Sequence, residues 1–173
     1  MANLYPFVVE MKLMLSNLDR WLEAAAEHAK SKNVEPDQLV GARLALDQYP
    51  LVKQVQAACD AAKFTAARLS GRDAPAHPDD EKSFEELRAR VGKVTTYLAT
   101  FTEKDFEGGE TRKVALPFLP GGKKGALGAD YLTHLAQPNF FFHVAHAYAI
   151  LRHNGVKLGK MDYIGPGLPL IDL

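Results

Sequence analysis

The N-terminal segment carries an apolar repeat that constrains the fold of this chain more than any other feature. Its residues recur at alternating spacings of four and three, which is the period of one face of an α-helix. The members are Leu4, Val8, Met11, Leu15, Leu18, Leu22 and Ala25. A second set repeats every seven residues along one border of the stripe: Phe7, Met14, Trp21 and His28. A stripe this wide predicts a long helix that packs against a core, rather than an aromatic cofactor-binding face.

Two further segments show the same helical period. Asp47 is the expected N-cap of the second helix, with Pro50 in the first turn. The buried side of this helix is predicted to comprise Val52, Val55, Cys59, Ala62, Ala66 and Leu69. Ser83 and Glu86 have the spacing of a capping box at the start of a third helix. The apolar stripe of the third helix comprises Phe84, Leu87, Val91, Val94, Leu98 and Phe101.

A glycine-rich segment at residues 103–128 precedes the last helix. Val114, Leu116 and Phe118 alternate with other residues there, which predicts a short β-hairpin that turns around residues 120–123. The sequence GGKKGALG in this segment lacks the GxxxxGK[ST] order of a phosphate-binding loop, and no buried strand precedes it. We therefore do not expect a nucleotide phosphate to bind there.

The last helix is predicted over residues 129–154 and is apolar on almost every side, so it should be the most buried helix. Pro138 lies inside it, and its ring clashes with the carbonyl of His134, so we expect a kink or break there. Gly155 fits the position just after the helix, where a left-handed residue is favoured. The Gly/Pro-rich tail from residue 157 onwards is expected to pack across the other helices.

Length and charge exclude several classes of protein. At 173 residues and 19.0 kDa the chain has the size of a single domain, residues 1–173. Lysine and arginine number 21 and so do aspartate and glutamate, and a chain without basic excess is not typical of nucleic-acid binding. Glu10 and Lys12 interrupt the apolar N-terminus, and no secretory leader is recognisable. We therefore expect a cytoplasmic protein with no membrane or nucleic-acid partner.

Histidine is the compositional hint of chemistry. Four of the six histidines fall on the predicted last helix: His134, His143, His146 and His153. At about 100° per residue, Asn139, His143 and His146 lie within an arc of roughly 60°. Such an arc supplies two nitrogen ligands, or a hydrogen-bond donor and a base. The HExxH pattern of zinc helices is absent, because no acid lies between His143 and His146 and residue 147 is an alanine.

His143 is the sharpest candidate among the histidines. Three phenylalanines precede it on the most apolar helix, so it is expected to be buried, to need a partner and to have a displaced pKa. A satisfied core histidine and a functional site remain equal alternatives for it. The other histidines have simpler interpretations: His153 as a helix-end charge, His77 as a solvated loop residue and His28 as a partly exposed packing residue.

The second helix offers partners for His143. Gln56 and Lys63 project within about 40° of the centre of its apolar arc, and Asp60 lies at the edge. If Gln56 faces His143 across the core, the two form a small polar pocket. The alternative is a buried hydrogen bond of Gln56 that only fixes packing. Cys59 lies on the buried stripe and is expected to be an inert packing thiol.

Three segments carry a family resemblance: ARLALDQYPLVKQVQAACDAAK at residues 42–63, YLTHLAQPNFFFH at 131–143 and ILRHNGVKLGKMDYIG at 150–165. With them the chain resembles an uncharacterised bacterial family within the DinB/YfiT-like superfamily over nearly its whole length. The resemblance implies an all-α, DinB-like antiparallel four-helix bundle with the small β-hairpin inserted before the last helix. It also implies a homodimer. Many relatives in the superfamily bind a divalent metal through three histidines, and some use it in thiol-dependent transfer or hydrolysis.

The superfamily pattern has one histidine on the second helix and an HxxxH pair on the fourth. In this chain the resemblance places that pair at Asn139 and His143, and the second-helix position near Val55 or Gln56. His143 is therefore the one histidine retained from the set of three. Asparagine and glutamine are weak ligands for zinc or nickel.

Two function classes remain open. The first is a divalent-metal-dependent hydrolase or thiol transferase of the DinB type. In it His143 is a zinc or nickel ligand or a base, and His146 or His134 substitutes for a missing ligand. The second is a non-catalytic homodimeric module with a small-molecule pocket, or only a polar core, around His143. In the first class Gln56, Asn139 and His146 are the expected substrate-binding residues. We favour loss of the full metal site.

Overall fold

A computed structural model describes residues 3–118, 120–122, 124–167 and 171 of the chain. Three long helices come first: α1 at Tyr5–Ser31, α2 at Leu51–Ser70 and α3 at Phe84–Leu98. A fourth long segment begins as α4 at Gly128–Tyr131, widens into a π-helical turn at Leu132–Ala136 and continues as α5 over Gln137–His153. The short helix α6 follows at Lys160–Ile164. Within these ranges, no helix combines the length and apolar character needed to cross a membrane.

Smaller elements occupy the connections. Short 3₁₀ helices lie at Pro36–Leu39, Glu103–Phe106 and Gly109–Thr111. Strands β1, Lys113–Ala115, and β2, Gly125–Leu127, pair antiparallel and align Val114 with Ala126. The predicted hairpin before the last helix is therefore confirmed. Lys123, at the end of the predicted turn, lies outside the described residues.

The four long segments form the predicted bundle. α1 packs beside α3 and α5, and α2 packs beside α3 and the α4–α5 segment. α1 and α5 run in one direction, and α2 and α3 run in the opposite direction. Two helices in each direction make this an antiparallel bundle. The core lies along its axis, and every member of the apolar stripe of α1 is at most 3% exposed.

Side chains near the helix starts determine where α2 and α3 begin, and one of the two predicted N-caps is wrong. The capping box of α3 is present: the Glu86 N–H donates to Ser83 Oγ at 3.1 Å, and the Ser83 N–H donates to Glu86 Oε2 at 3.1 Å. The predicted N-cap Asp47 is wrong, because α2 begins at Leu51 with Pro50 as its N-cap. A residue that precedes proline is disfavoured in helical conformation, so Tyr49 keeps the helix from starting earlier.

Pro138 does not break the last helix. The helical segment is continuous from α4 through the π turn into α5, and Pro138 lies in the first turn of α5. A π turn shifts the hydrogen-bond register by one residue, which accommodates a residue that has no N–H to donate. The irregularity that was expected as a kink or break is therefore a widened turn just upstream of the proline.

The described part of the C-terminal tail packs against α1. Trp21 Nε1 donates to the Asp162 carbonyl at 2.9 Å, and Asn17 Nδ2 donates to the carbonyls of Tyr163 and Ile164 at 3.0 and 3.1 Å. Gly165 follows with a φ of +71°, and a Cβ at this position would overlap the Asn17 amide. Glycine at this turn lets the tail stay against the helix.

Candidate functional site

His143 and Gln54 form a buried hydrogen bond between α5 and α2. His143 Nδ1 lies 2.8 Å from Gln54 Oε1; Gln54 is fully buried and His143 is 9% exposed. The Gln54 Nε2 donates to the Tyr49 carbonyl at 3.2 Å, which orients the amide with its oxygen towards the histidine. Because that oxygen can only accept, we assign the proton of the pair to His143 Nδ1. The neutral imidazole then has its lone pair on Nε2.

Aromatic rings enclose this pair. The Tyr49 ring lies nearly parallel to the His143 ring, with 11° between the planes and 6.5 Å between the centroids. The Phe142 ring meets the imidazole edge-on at 5.2 Å. Burial lowers the pKa of His143 below its usual value, and the charge of His146 lowers it further. His143 is therefore neutral near pH 7.

The lowered pKa of His143 predicts a loss of stability in acid. Because the folded-state pKa lies below the unfolded value of 6.5, the unfolded chain binds more protons as the pH falls. The contribution of neutral His143 to the free energy of unfolding is fully present above pH 6.5 and is lost as the pH falls below 6.5. We expect the free energy of unfolding to fall more between about pH 7 and about pH 5 in the wild type than in His143→Gln. Urea denaturation at both pH values measures this, and equal decreases would contradict it.

Gln56 does not make the expected contact with His143. Its Nε2 donates to Glu81 Oε2 at 2.7 Å, on the side of α2 that packs against α3. Gln54 and Gln56 are two residues apart, about 200° around the helix, so only one of them can face α5. The structure therefore places Gln54 against His143, and Gln56 makes a buried hydrogen bond of the kind that fixes packing.

The other predicted site residues do not converge on His143. Asn139, one helical turn before it, is exposed, and His134 is exposed in the π turn. The Nδ1 of His146 lies 2.6 Å from the Phe142 carbonyl of its own helix. His153 is exposed in the last turn of α5 and suits its predicted role as a helix-end charge. In the part of the chain that the structure describes, no three His, Cys, Asp or Glu side chains group closely enough to hold a metal ion.

The residues present do not fit the three-histidine metal site of the superfamily. The resemblance places the set at Asn139 and His143 on α5 and near Val55 or Gln56 on α2, and His143 is the one histidine among these residues. The Gln54 oxygen already bonds to His143 Nδ1, which leaves one imidazole nitrogen as the only strong ligand atom of the set. Amide oxygens are poor substitutes for imidazole at zinc or nickel.

A cavity of about 500 Å³ lies beside the pair, between α2 and the π turn. Its lining comprises Tyr49, Lys53, Ala57, Asp60, Ala61, Phe64, Arg68, Asp79, Phe118, Tyr131, Leu135, Ala136 and Asn139. Tyr49 joins the cavity to the pair, since it both lines the cavity and stacks on His143. The cavity thus lies next to His143, whereas the sequence predicted a pocket around it. The π turn shapes one wall, and such turns often occur at functional sites.

A buried charge cluster supports the opposite wall of the cavity. The Arg90 guanidinium is 1% exposed and binds Asp60 at 2.8 Å, Asp79 at 3.1 Å and Glu81 at 3.1 Å. Lys63, 2% exposed, binds Asp60 at 2.8 Å. Asp60 and Asp79 also line the cavity, so the cluster fixes two of its polar side chains.

Cys59 and His77 lie close to this cluster. Cys59 is fully buried, and burial raises the pKa of its thiol to about 12. A thiol that stays protonated is a poor nucleophile, which agrees with a packing role. His77 is half-buried rather than solvated as expected, and its buried Nδ1 has no hydrogen-bond partner among the described residues. Burial lowers the pKa of His77, and the nearby charges of Lys63 and Arg90 lower it further.

Sequence reasoning missed Gln54, Arg90 and Arg68. A signal for Gln54 exists, because α2 has a second stripe with helical spacing that is fully buried: Leu51, Gln54, Ala58, Ala62, Thr65 and Leu69. Arg90 likewise follows Leu87 by three residues and precedes Val94 by four, so it lies on the buried side of α3. No comparable spacing marks Arg68, whose importance depends on the rings around it.

Comparisons with known proteins agree with this architecture. A family model described as "Domain of unknown function (DUF1993)" matches residues 4–164. The crystal structure of a DinB family member from Shewanella denitrificans is similar to this chain, with a TM-score of 0.90 and 43% sequence identity. The match covers 96% of this chain and 93% of that one. A search of curated proteins found no match.

Proposed function

We propose that this chain, which belongs to the DUF1993 family and is a DinB-like bundle, binds a small molecule without a superfamily-type metal ion. The observation that carries the proposal is the 2.8 Å hydrogen bond between Gln54 Oε1 and His143 Nδ1. It joins α2 to α5 through His143, the one histidine that the resemblance retains from the superfamily's metal-binding set. A hydrogen bond that does this holds the helices together without an ion.

The adjoining cavity supports the binding role. Its volume of about 500 Å³ falls within the range of about 300–1,000 Å³ that is typical of small-molecule pockets. Aromatic and aliphatic side chains form much of the lining, and a few polar groups interrupt it. Ligand pockets generally combine these two features, because apolar surface supplies affinity and polar groups fix orientation.

His143 lies outside the cavity lining and is proposed to position Tyr49, whose ring stacks on it and lines the cavity. The Nδ1–H of His143 donates to Gln54 Oε1. The neutral imidazole therefore has Nε2 as its free hydrogen-bond acceptor. Tyr49 and Asn139 would contact the ligand directly, because both line the cavity. His146 and Gln56 are engaged with other atoms and are not part of this proposal.

The cavity can be tested by filling it. Ala61 lines the cavity on α2, so Ala61→Trp should occupy the space and abolish binding, while the exposed Ala89→Trp on α3 serves as the matched control. The measurement is a screen of small aromatic fragments in the presence of a chelator, scored by NMR shift changes at residues that line the cavity. We expect fragments to bind the wild type and Ala89→Trp, but not Ala61→Trp. The proposal fails if no fragment shifts those residues, or if binding survives in Ala61→Trp.

We also propose a homodimer, which rests on the family resemblance, and a cytoplasmic location, which rests on the sequence alone.

A further inference from the structure

Arg68 is a cation of the cavity without an acidic partner. It lies on α2 and lines the cavity, and within the described part of the chain no ion pair joins it to an aspartate or glutamate. Its Nη1 donates to the Tyr131 hydroxyl at 3.1 Å, which leaves most of its N–H donors for another acceptor.

Three aromatic rings hold the Arg68 guanidinium in place. Its central carbon lies 5.0 Å from the centroid of Phe64, 5.7 Å from that of Phe118 and 5.6 Å from that of Tyr131. Rings at these distances attract the cation, and the Arg68 residue is half-buried. A guanidinium that is positioned and partly desolvated binds an anion more strongly than a freely moving one.

The charges around the cavity leave Arg68 unbalanced. The charged residues that line the cavity are Lys53, Asp60, Arg68 and Asp79, and ion pairs join Lys63, Arg90 and Glu81 to this group. Every cation except Arg68 lies within 3.1 Å of an acid. These seven residues carry four positive and three negative charges, and the positive charge without an acidic partner is that of Arg68.

We propose that the ligand of this cavity is an organic carboxylate with a flat apolar body, and that its carboxylate binds Arg68. This inference rests on the proposed function and names the class of its ligand. A carboxylate has the single charge that the cavity lacks, and its two oxygens match the fork of a guanidinium. A phosphate monoester has about two negative charges, which is more than the one unpaired positive charge of Arg68 can balance.

The remaining lining suits the body of such a ligand. Phe64 and Leu135 supply apolar surface, and Asn139 offers both a donor and an acceptor further along the cavity. Tyr131, which bonds to Arg68, and Asn139 lie about two turns apart on one helical segment. The proposed ligand is therefore a ring with a short carboxylate side chain that extends from Arg68 towards Asn139.

A series of probes that share a phenyl ring and differ in charge tests the inference on the unmodified protein. The probes are 3-phenylpropionate, its neutral amide 3-phenylpropionamide, the cation 3-phenylpropylamine and phenyl phosphate, with dissociation constants measured by NMR titration at fixed ionic strength. We expect the carboxylate to bind at least about tenfold more tightly than the amide, as a charge-assisted hydrogen bond would give. The amine should bind most weakly.

Two variants test whether the preference for the carboxylate over the amide depends on Arg68. Arg68→Met should remove the preference for the carboxylate and keep the binding of the amide. Arg72→Met removes the same charge one helical turn away at a residue outside the cavity lining, and it should keep the preference.

The inference is overturned if the amide, the amine or the phosphate binds as tightly as the carboxylate, or if the carboxylate does not bind. It is also overturned if Arg72→Met abolishes the preference as fully as Arg68→Met. These failures are distinct from failure of the proposed function, since the aromatic fragments would still bind the cavity and Ala61→Trp would still block them.

Discussion

Replacement of Arg90 by methionine should lower the free energy of unfolding by about 3–5 kcal/mol. Arg90 is 1% exposed, and its guanidinium forms ion pairs with Asp60, Asp79 and Glu81. Methionine has a similar length but no charge, so Arg90→Met leaves three carboxylates close together with only lysines nearby. Glu81 is the most affected of them because it is 10% exposed and water reaches it poorly. Urea denaturation at neutral pH measures the loss.

Arg88→Met is the matched control for Arg90→Met. Arg88 lies on the same helix and binds Asp19 on α1 at 2.8 Å, but it is 37% exposed. Because surface ion pairs contribute little, we expect Arg88→Met to cost at most about 1 kcal/mol. Equal losses for the two variants would contradict the assignment of Arg90 to a buried cluster that supports the cavity wall.

Truncation of Leu15 is the second change with a large expected effect. Leu15 is fully buried at the centre of the α1 stripe, and Leu15→Ala should cost about 2–5 kcal/mol because it removes apolar contacts and leaves a void. Leu98→Ala in α3, at a residue that is 2% exposed, should fall in the same range of about 2–5 kcal/mol.

Leu13→Ala supplies the control on the same helix. Leu13 is 41% exposed, so its truncation should change stability by no more than about 0.5 kcal/mol. All three variants can be measured by urea denaturation. A loss below about 0.5 kcal/mol for Leu15→Ala would show that the stripe does not face the core.

The bundle was predictable because its signal is local and repeated. Each apolar stripe has to be buried, and a helix with such a stripe has few stable ways to pack. The start of α2 was predicted wrongly for an equally local reason. Asp47 has the right side chain for a cap, but the restriction that Pro50 imposes on Tyr49 outweighs it.

The candidate site was only partly predictable, because its contacts join distant parts of the chain. His143 was singled out by the apolar helix around it, but its partner Gln54 lies 89 residues away. The face of α2 that meets α5 depends on how the two helices rotate about their axes, and this decides between Gln54 and Gln56. The pairing of Arg90 with Asp60 spans 30 residues and has the same limitation.

In the proposal, the hydrogen bond between Gln54 and His143 holds α2 and α5 together without a superfamily-type metal ion. Their hydrogen bond satisfies two buried polar groups that would otherwise be costly in this core. Tyr49 covers the histidine and lines the cavity, so a ligand and the pair share a neighbour. In the proposal, ligand binding and the stability of the α2–α5 contact are therefore linked.

Elemental analysis of the untagged protein, purified without chelator, is the most direct test of the claim that the Gln54–His143 pair stands in place of the metal. We predict far less than one zinc, nickel or iron ion per chain, and no gain in thermal stability when these ions are added. His146→Ala is the control for His143→Ala, because His146 lies on the same helix but bonds to the backbone. One metal ion per chain that is lost in His143→Ala but kept in His146→Ala would contradict the claim and favour the metal-dependent enzyme.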